Sequence, residues 1–428
     1  MQIQLYVNAM AALVGRHNRV LCDPWVTTDQ ISRGNIYNYP PLLLNAGAVA
    51  AKGFTHLYVS HGHPDHYDPD TLKPFSRDIP ILIGNWPDNF LARGLKALGF
   101  TDVRSVDWEQ GIDLGHGDHM WAKISEANKD VDSMAMFRLD NELCLNTNDC
   151  GFVPAEMEAV HERFPDVDVA VLAASLIGPY PQFYENLTVD EKSSEAAKKK
   201  RRNLDNLRQQ IQILKPKTTL PFGGGVLYGG NKTGGHVYTG VASQSETQAY
   251  FAEHPVQSSV LVLPPLGWYD VTAGRQRQAE QPELSEEELR AYRDAISRKP
   301  WIFDEGQDFY IAPHLRIDLT PLLRVARQKL RKWQDAKGVH GDMNVFFDVG
   351  QPFCYQLNFG NDEVRTVPRD EAPRMTPLMI FTLPYSLMVG LLTRHFNFNN
   401  VGTPFIEFYR DPNVYYVDYE LILAHLHL

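Results

Sequence analysis

Short apolar runs, broken by Gly, Pro, Asn and Asp, fill the first two thirds of the chain. Residues 3–7 (IQLYV), Arg19–Cys22, 57–59 (LYV), 79–83 (IPILI), 133–137 (SMAMF), Glu142–Asn146 and 167–172 (VDVAVL) are too short for buried helices and read as strands. Residues 188–215 are polar with periodic apolar positions and predict one long helix. The basic run 198–202 (KKKRR) on it reads as a solvated helix face, with an anion-binding patch as the alternative. Residues 260–265 (VLVLPP) read as the last strand of this layered α/β region.

The pattern then changes. Residues 274–291 are rich in Gln, Glu and Arg and read as a linker that enters a helix at Ser285 through a Ser-x-x-Glu capping box. Residues 322–335 predict an amphipathic helix. From residue 343 strands return at 345–349, 353–359 and 364–367 as a meander, followed by a helix over 385–394 and the apolar segment 404–409. The expected division is 1–272 for the layered domain, 273–340 for a helical connection, and 341–428 for a small α+β domain whose aromatics form its core. The chain shows no internal repeat.

The chemistry is concentrated at residues 60–66 (SHGHPDH), directly after the strand-like run 56–60. His61, His63 and His66 with Asp65 fall within six residues, although the whole chain has only 15 histidines. Glycine and proline between them favour a turn, so several imidazoles converge at a strand end. Mixed imidazole and carboxylate donors suit zinc, iron or manganese, whereas calcium takes oxygen ligands.

Composition narrows the picture further. With 428 residues, 43% hydrophobic and 22% charged, the chain has ordinary globular composition and exceeds one core's usual size. Its net charge of −11 argues against nonspecific nucleic-acid binding. No apolar run approaches the roughly 20 residues needed to span a bilayer, and the first residues lack a signal-peptide pattern, so the expectation is a cytoplasmic protein acting on a small molecule, with no membrane partner. The cysteines at 22, 144, 150 and 354 lack C-x-x-C spacing and read as buried small apolar residues.

The pattern H-x-H-x-D-H at 61–66 resembles the signature of the metallo-β-lactamase superfamily. The resemblance implies an αββα sandwich, here carrying the small C-terminal α+β domain. It also implies that His61 and His63 serve one metal while Asp65 and His66 serve a second. Asp149, after the strand-like run ending at residue 146, matches the bridging aspartate of that superfamily. A histidine shortly before the strand leading to that aspartate is absent from residues 125–130 (SEANKD). Glu126, Asn128 or Asp130, or His116 and His119 from the preceding turn, are the candidate replacements. His236, at the end of the glycine-rich stretch 223–235, is the candidate for the final histidine. Asp23 is a candidate for orienting a ligand histidine through its free N–H.

Further segments resemble the CMP-N-acetylneuraminate hydroxylases: CDPW at 22–25, HLYVSHGHPDHYDPDTL at 56–72, IPILIGN at 79–85, Asp132 with Ser133, LNTNDC at 145–150, LPFGG at 220–224 and YRDPNVY at 409–415. That resemblance implies iron-dependent hydroxylation with O2, with electrons delivered through an N-terminal Rieske centre. The chain starts at the first strand and has no C-x-H…C-x-x-H set, so the expectation is that electrons come from a separate donor or from the substrate. The leading expectation is therefore an iron oxygenase or hydroxylase of a small polar or nucleotide-linked biosynthetic substrate. Asp65 and Asp149 would be its catalytic carboxylates. Two alternatives stand beside it. One is a zinc or manganese hydrolase of phosphodiesterase or lactonase type, with Asp65 orienting water or acting as base; the other is a binding protein with a degenerate site. One or two metal ions are expected, and the oligomeric state is open.

Overall fold

The computed structural model describes residues 1–26, 35–86, 89–127, 131–396, 398 and 403–428. Two sheets face each other. The eight-stranded sheet runs in the order Arg275–Arg277, Gly267–Asp270, Gln2–Leu5, Ala11–Val14, Arg19–Cys22, His56–Val59, Ile81–Gly84, Val103–Val106. The last four of these are parallel. The seven-stranded sheet runs Ser259–Val260, Thr218–Phe222, Val169–Ala173, Glu142–Asn146, Ser133–Leu139, Asp118–Ile124, Ile112–Gly115.

Strand alternation sorts the apolar residues into layers. Val20, Cys22, Tyr58 and Leu82 point between the sheets and meet Met120, Ala135, Phe137, Val171 and Leu220 from the other side. Their neighbours Leu21, Leu57, Val59, Ile81 and Ile83 point outward, where Val49, Leu72, Leu91 and Leu95 of three short helices cover them. On the opposite outer face, Met157 and Val160 of Pro154–Arg163 and Leu207, Ile211 and Leu214 of Val189–Leu214 cover Met134, Leu145, Ala170 and Leu172. This is an αββα sandwich. Both faces of its strands are buried, which is why the strands read as apolar runs without alternation.

Residues 260–265 were expected to form the last strand, but only Ser259–Val260 pairs. Pro264 and Pro265 lack the N–H a ladder needs. A hairpin of Gly267–Asp270 and Arg275–Arg277 follows and extends the first sheet past residue 272. Thr188 and Lys215 bound the long helix as cap and left-handed stop. On it Lys198, Lys200 and Arg201 pair with Glu195, Glu246 and Asp205, whereas Lys199 turns inward to the Tyr180 carbonyl at 3.0 Å. The Ser285 capping box is present at Glu286–Ser297, and all four cysteines are buried and unpaired with one another.

A five-stranded sheet of Asn344–Asp348, Phe353–Asn358, Val364–Pro368, Leu378–Thr382 and Glu407–Asp411 completes the fold. The first three form the expected meander; Leu378–Thr382 then pairs parallel with Asn344–Asp348. The helix Thr320–Lys337 covers one face with Leu323, Ala326 and Leu330. That face does not form a core of its own. Phe347, Phe381 and Phe408 share one cluster with Trp25, Phe183, Tyr184, Val226 and Tyr228 of the sandwich loops. Backbone bonds join Glu185 N–H to the Phe408 carbonyl and Phe408 N–H to the Phe183 carbonyl, both 2.8 Å. Lys232, 3% exposed, forms an ion pair with Glu407 and donates to the Ile406 carbonyl at 2.9 Å.

Candidate metal centre

The strand His56–Val59 ends at the edge of the sandwich, and residues 60–66 turn there under the control of Asp23. This aspartate is fully buried and left-handed (φ 47°), just past Arg19–Cys22. Its Oδ1 accepts from the Ser60 N–H at 2.7 Å, and its Oδ2 accepts from the Ser60 hydroxyl at 2.7 Å and meets His66 Nδ1 at 2.8 Å. Fixing Nδ1 on a carboxylate leaves His66 Nε2 as the free donor lone pair or proton site. That nitrogen is buried, with no hydrogen-bond partner among the described residues. It lies 3.3 Å from Asp149 Oδ2 and 3.5 Å from Asp65 Oδ2.

Asp149 reaches this point through a tight turn after Glu142–Asn146. Asn148 is left-handed (φ 46°), its N–H bonds to Asn146 Oδ1 at 3.1 Å, and its side chain donates to the Ser133 carbonyl at 3.0 Å. Asp65 is steadied from the other side by Asn8, whose Nδ2 donates to Oδ2 at 2.8 Å. Asn8 sits left-handed (φ 57°) in the turn after Gln2–Leu5. It is braced by the glycine-rich loop: a Cβ on Gly225 would lie 2.6 Å from the Asn8 nitrogen, so only glycine allows that approach.

The second half of the centre is His61 with His63, whose Nε2 and Nδ1 are 2.8 Å apart, and Asp132, whose Oδ1 is 3.5 Å from His61 Nε2. Ser133 ties this wall to the histidine loop through its hydroxyl, which donates to the Ser60 carbonyl at 2.7 Å. Two donor sets therefore share His61: His61, His63 and Asp132, and His61, His66 and Asp149. Their ligand atoms all lie within 4.8 Å of one another in each set.

Electrostatics define what fits between them. Burial opposes charge on His66, yet Asp149, Asp65 and Asp23 together raise its pKa well above the usual range. Burial pushes Asp65 up, but His66 and His63 outweigh it and hold the carboxyl low. Burial, reinforced by His66, lowers the pKa of His61, and burial lowers that of His63 as well. The carboxylates of Asp149, Asp65 and Asp23 thus favour positive charge at this point. A divalent metal can take that place with its ligands in the required states: neutral imidazoles and ionised carboxylates. The orphaned Nε2 and the donor chemistry fit metal ions.

Asp132 was not read as a ligand: with Ser133 it marked only a segment resembling the hydroxylases, and the expected donor was an imidazole over 125–130. Its signal was a carboxylate immediately before the apolar strand Ser133–Leu139. Among the proposed replacements, Glu126 is exposed and pairs with Lys123 at 3.2 Å, while Asn128 and Asp130 lie outside the described residues. His116 stacks on His17 in a turn, and His119 lies on Asp118–Ile124 with its Nε2 at 3.0 Å from the Gln110 carbonyl. His236 does not join either donor set; it packs edge-on to Tyr39 at 4.6 Å, where burial and then Arg293 lower its pKa to about 4. The helical turn Gly230–Tyr238 carries it toward Glu286–Ser297 rather than to the histidine loop.

Substituting Asn8 with alanine should weaken metal binding about tenfold or more by releasing Asp65, the usual scale for an outer hydrogen bond to a ligand. Titration of metal-free protein with iron(II) and with zinc reads this directly, and an unchanged affinity for both would rule the brace out.

No protein-family model matches the chain. It is 27% identical over 232 residues to a Rieske 2Fe-2S iron-sulfur protein of Mycolicibacterium smegmatis, covering 52% of this chain and 43% of that one. It is 24% identical over 235 residues to the cytidine monophosphate-N-acetylneuraminic acid hydroxylase of Mus musculus, covering 52% and 39%. The matched region thus spans less than half the length of these curated relatives. Among solved structures, CmlA, a diiron β-hydroxylase from Streptomyces venezuelae, aligns with TM-score 0.40 at 17% identity, covering 61% of this chain and 53% of that one. The metallo-β-lactamase fold protein YhfI from Bacillus subtilis aligns with TM-score 0.38 at 11% identity, covering 62% and 96%. The two packed sheets, their helical covers and the histidine loop at the strand ends give this chain the metallo-β-lactamase fold, with distant sequence similarity to Rieske proteins and to the CMP-N-acetylneuraminic acid hydroxylases over about half its length.

Proposed function

We propose that this chain is a metal-dependent oxygenase or hydroxylase that uses iron and O2 on a small polar or nucleotide-linked substrate. The observation that carries this reading is the donor balance. Asp65, Asp132 and Asp149 stand with His61, His63 and His66, and a carboxylate occupies the strand-start position where an imidazole was expected. Carboxylate-rich sites with open positions suit redox-active iron, whereas zinc sites are usually richer in nitrogen or sulfur. Iron, when bound, supplies O2 activation. The chain's own groups do the rest: Asp23 fixes the ring of His66, Asn8 fixes Asp65, and Tyr228 forms a buried wall whose phenol is kept protonated by burial and by the charges of Asp65 and Asp149. The similarity to CMP-N-acetylneuraminic acid hydroxylases supports the same direction.

A second reading, a zinc or manganese hydrolase, is favoured by one feature: Asp65 Oδ2 lies 3.5 Å from His66 Nε2 and is fixed there by Asn8 at 2.8 Å. It could then orient or deprotonate a metal-bound water, whose pKa falls to roughly 7. Protein purified without chelator should carry one or two equivalents of iron and consume O2 when given a chemical reductant. Stoichiometric zinc with turnover of a phosphodiester or lactone would instead establish the hydrolase, and absence of stoichiometric metal would leave a binding protein.

A further inference from the structure

A cavity apart from the two donor sets lies between residues of the sandwich and of the C-terminal region. It has a volume of about 190 Å³ and is walled by Phe90, Phe347, Met388, Leu391 and Phe396. Phe90 opens the helix Phe90–Ala97, which follows Ile81–Gly84, a parallel neighbour of the strand that precedes His61. The wall is built rather than incidental. Gly390 sits within the helix Tyr385–Leu392, where glycine is costly, because Phe396 lies against it: a Cβ there would come within 2.4 Å of the ring. The chain reverses at Arg394 (φ 59°), and the Phe396 N–H returns to the Gly390 carbonyl at 3.0 Å.

The lining is apolar except for Arg394 and His427, and no carboxylate lines it among the described residues. Arg394 is exposed at its lip, and His427 Nδ1 lies 3.0 Å from the Leu428 oxygen. An apolar cavity of roughly 150 Å³ is enough to hold benzene. This one has room for a single ring or a short branched chain, with a cationic group at its mouth.

We infer that this cavity is a binding site for an aryl or short acyl group bearing a carboxylate, the apolar part seated among Phe90, Met388, Leu391 and Phe396 and the carboxylate on Arg394. The inference is independent of the metal reading, because binding is measured without turnover.

Calorimetric titration of the full chain, metal-loaded and chelated, with 3-phenylpropionate and with neutral 3-phenylpropan-1-ol tests it. The acid should bind saturably and about tenfold more tightly than the alcohol, the scale of one charge-assisted bond. Arg394→Gln should erase that preference while leaving the alcohol unaffected. Met388→Trp should weaken both by filling the cavity, with Leu391→Phe as the milder filling should tryptophan disturb the fold. No saturable binding, a preference that survives Arg394→Gln, or affinity indifferent to both fillings would overturn the site. Loss of metal-dependent activity with this binding intact would instead count only against the oxygenase reading.

Discussion

Replacing His66 by alanine is expected to strip the chain of metal. His66 Nε2 is the buried, unpartnered nitrogen between Asp149 and Asp65, and its set shares His61 with the His63 and Asp132 side. Removing it deletes a ligand and leaves Asp23, Asp65 and Asp149 facing one another without their central cation. The loss should exceed the 10- to 100-fold decrease expected for Asp23→Asn, which keeps His66 Nε2 and disturbs only the Oδ2 contacts to the His66 ring at 2.8 Å and the Ser60 hydroxyl at 2.7 Å. Elemental analysis of protein purified without chelator gives the stoichiometry, and thermal melts give an independent reading. Wild-type protein should gain about 2.7 to 4.1 kcal/mol when metal stands 100- to 1,000-fold above its Kd. The His66→Ala melt should not respond to metal. A variant that retains full stoichiometry and the metal-dependent shift would remove His66 from the centre.

The second large effect concerns stability and is asymmetric. Lys232 and Glu407 pair across the junction between the glycine-rich turn and the C-terminal sheet, but their side chains differ in exposure, 2% against 33%. Breaking a buried pair costs most when the partner left behind is the one without access to water. Glu407→Gln strands the Lys232 ammonium among Phe183 and the Ile406 carbonyl, with Glu185 as its remaining acidic neighbour. It should cost about 3 kcal/mol. Lys232→Met leaves a half-exposed carboxylate and fills the same space, so it should cost about 1 kcal/mol or less. The double substitution should recover most of the loss from Glu407→Gln. Urea midpoints of the four proteins decide it; equal losses from the two single substitutions would contradict the burial argument.

The sandwich was legible because its strands are covered on both faces. That arrangement demands apolar residues at consecutive positions, as in VLC at 20–22 and LYV at 57–59, and short apolar runs are what a sequence displays most plainly. The strands Ala11–Val14 and Asp118–Ile124 were harder to see. The first is half alanine, and the second begins with polar residues that serve its turn and edge. The hairpin after Pro265 was hidden by its polar composition, since Arg275–Arg277 is an exposed edge strand. In the candidate centre, the compact set of His61, His63, Asp65 and His66 is local in sequence and could be read directly. The ligand role of Asp132 and the brace by Asn8 were harder: an aspartate before a strand and a lone asparagine in a turn carry no metal-ligand spacing, and only tertiary packing through Ser133 and Gly225 brings them to the histidine loop. His236 shows the reverse failure. The right residue type in a glycine-rich loop drew attention, but the helical turn carrying it faces another element.

The pairing of Gln2–Leu5 with Gly267–Asp270 sets a clock on assembly. The first strand has its outer partner only after residue 270 has been made, as Gln2 pairs with Asp270 and Leu5 with Gly267. At synthesis rates of about 5 to 20 residues per second, that wait is roughly 13 to 53 s. Asn8, which follows this strand and braces Asp65, is also held by Gly225, so both of its supports arrive late. The histidine loop is complete long before the brace on its carboxylate is. Metal captured early would meet a loose Asp65, and the final coordination would form only once Gly267–Asp270 has been made and has closed on Gln2–Leu5.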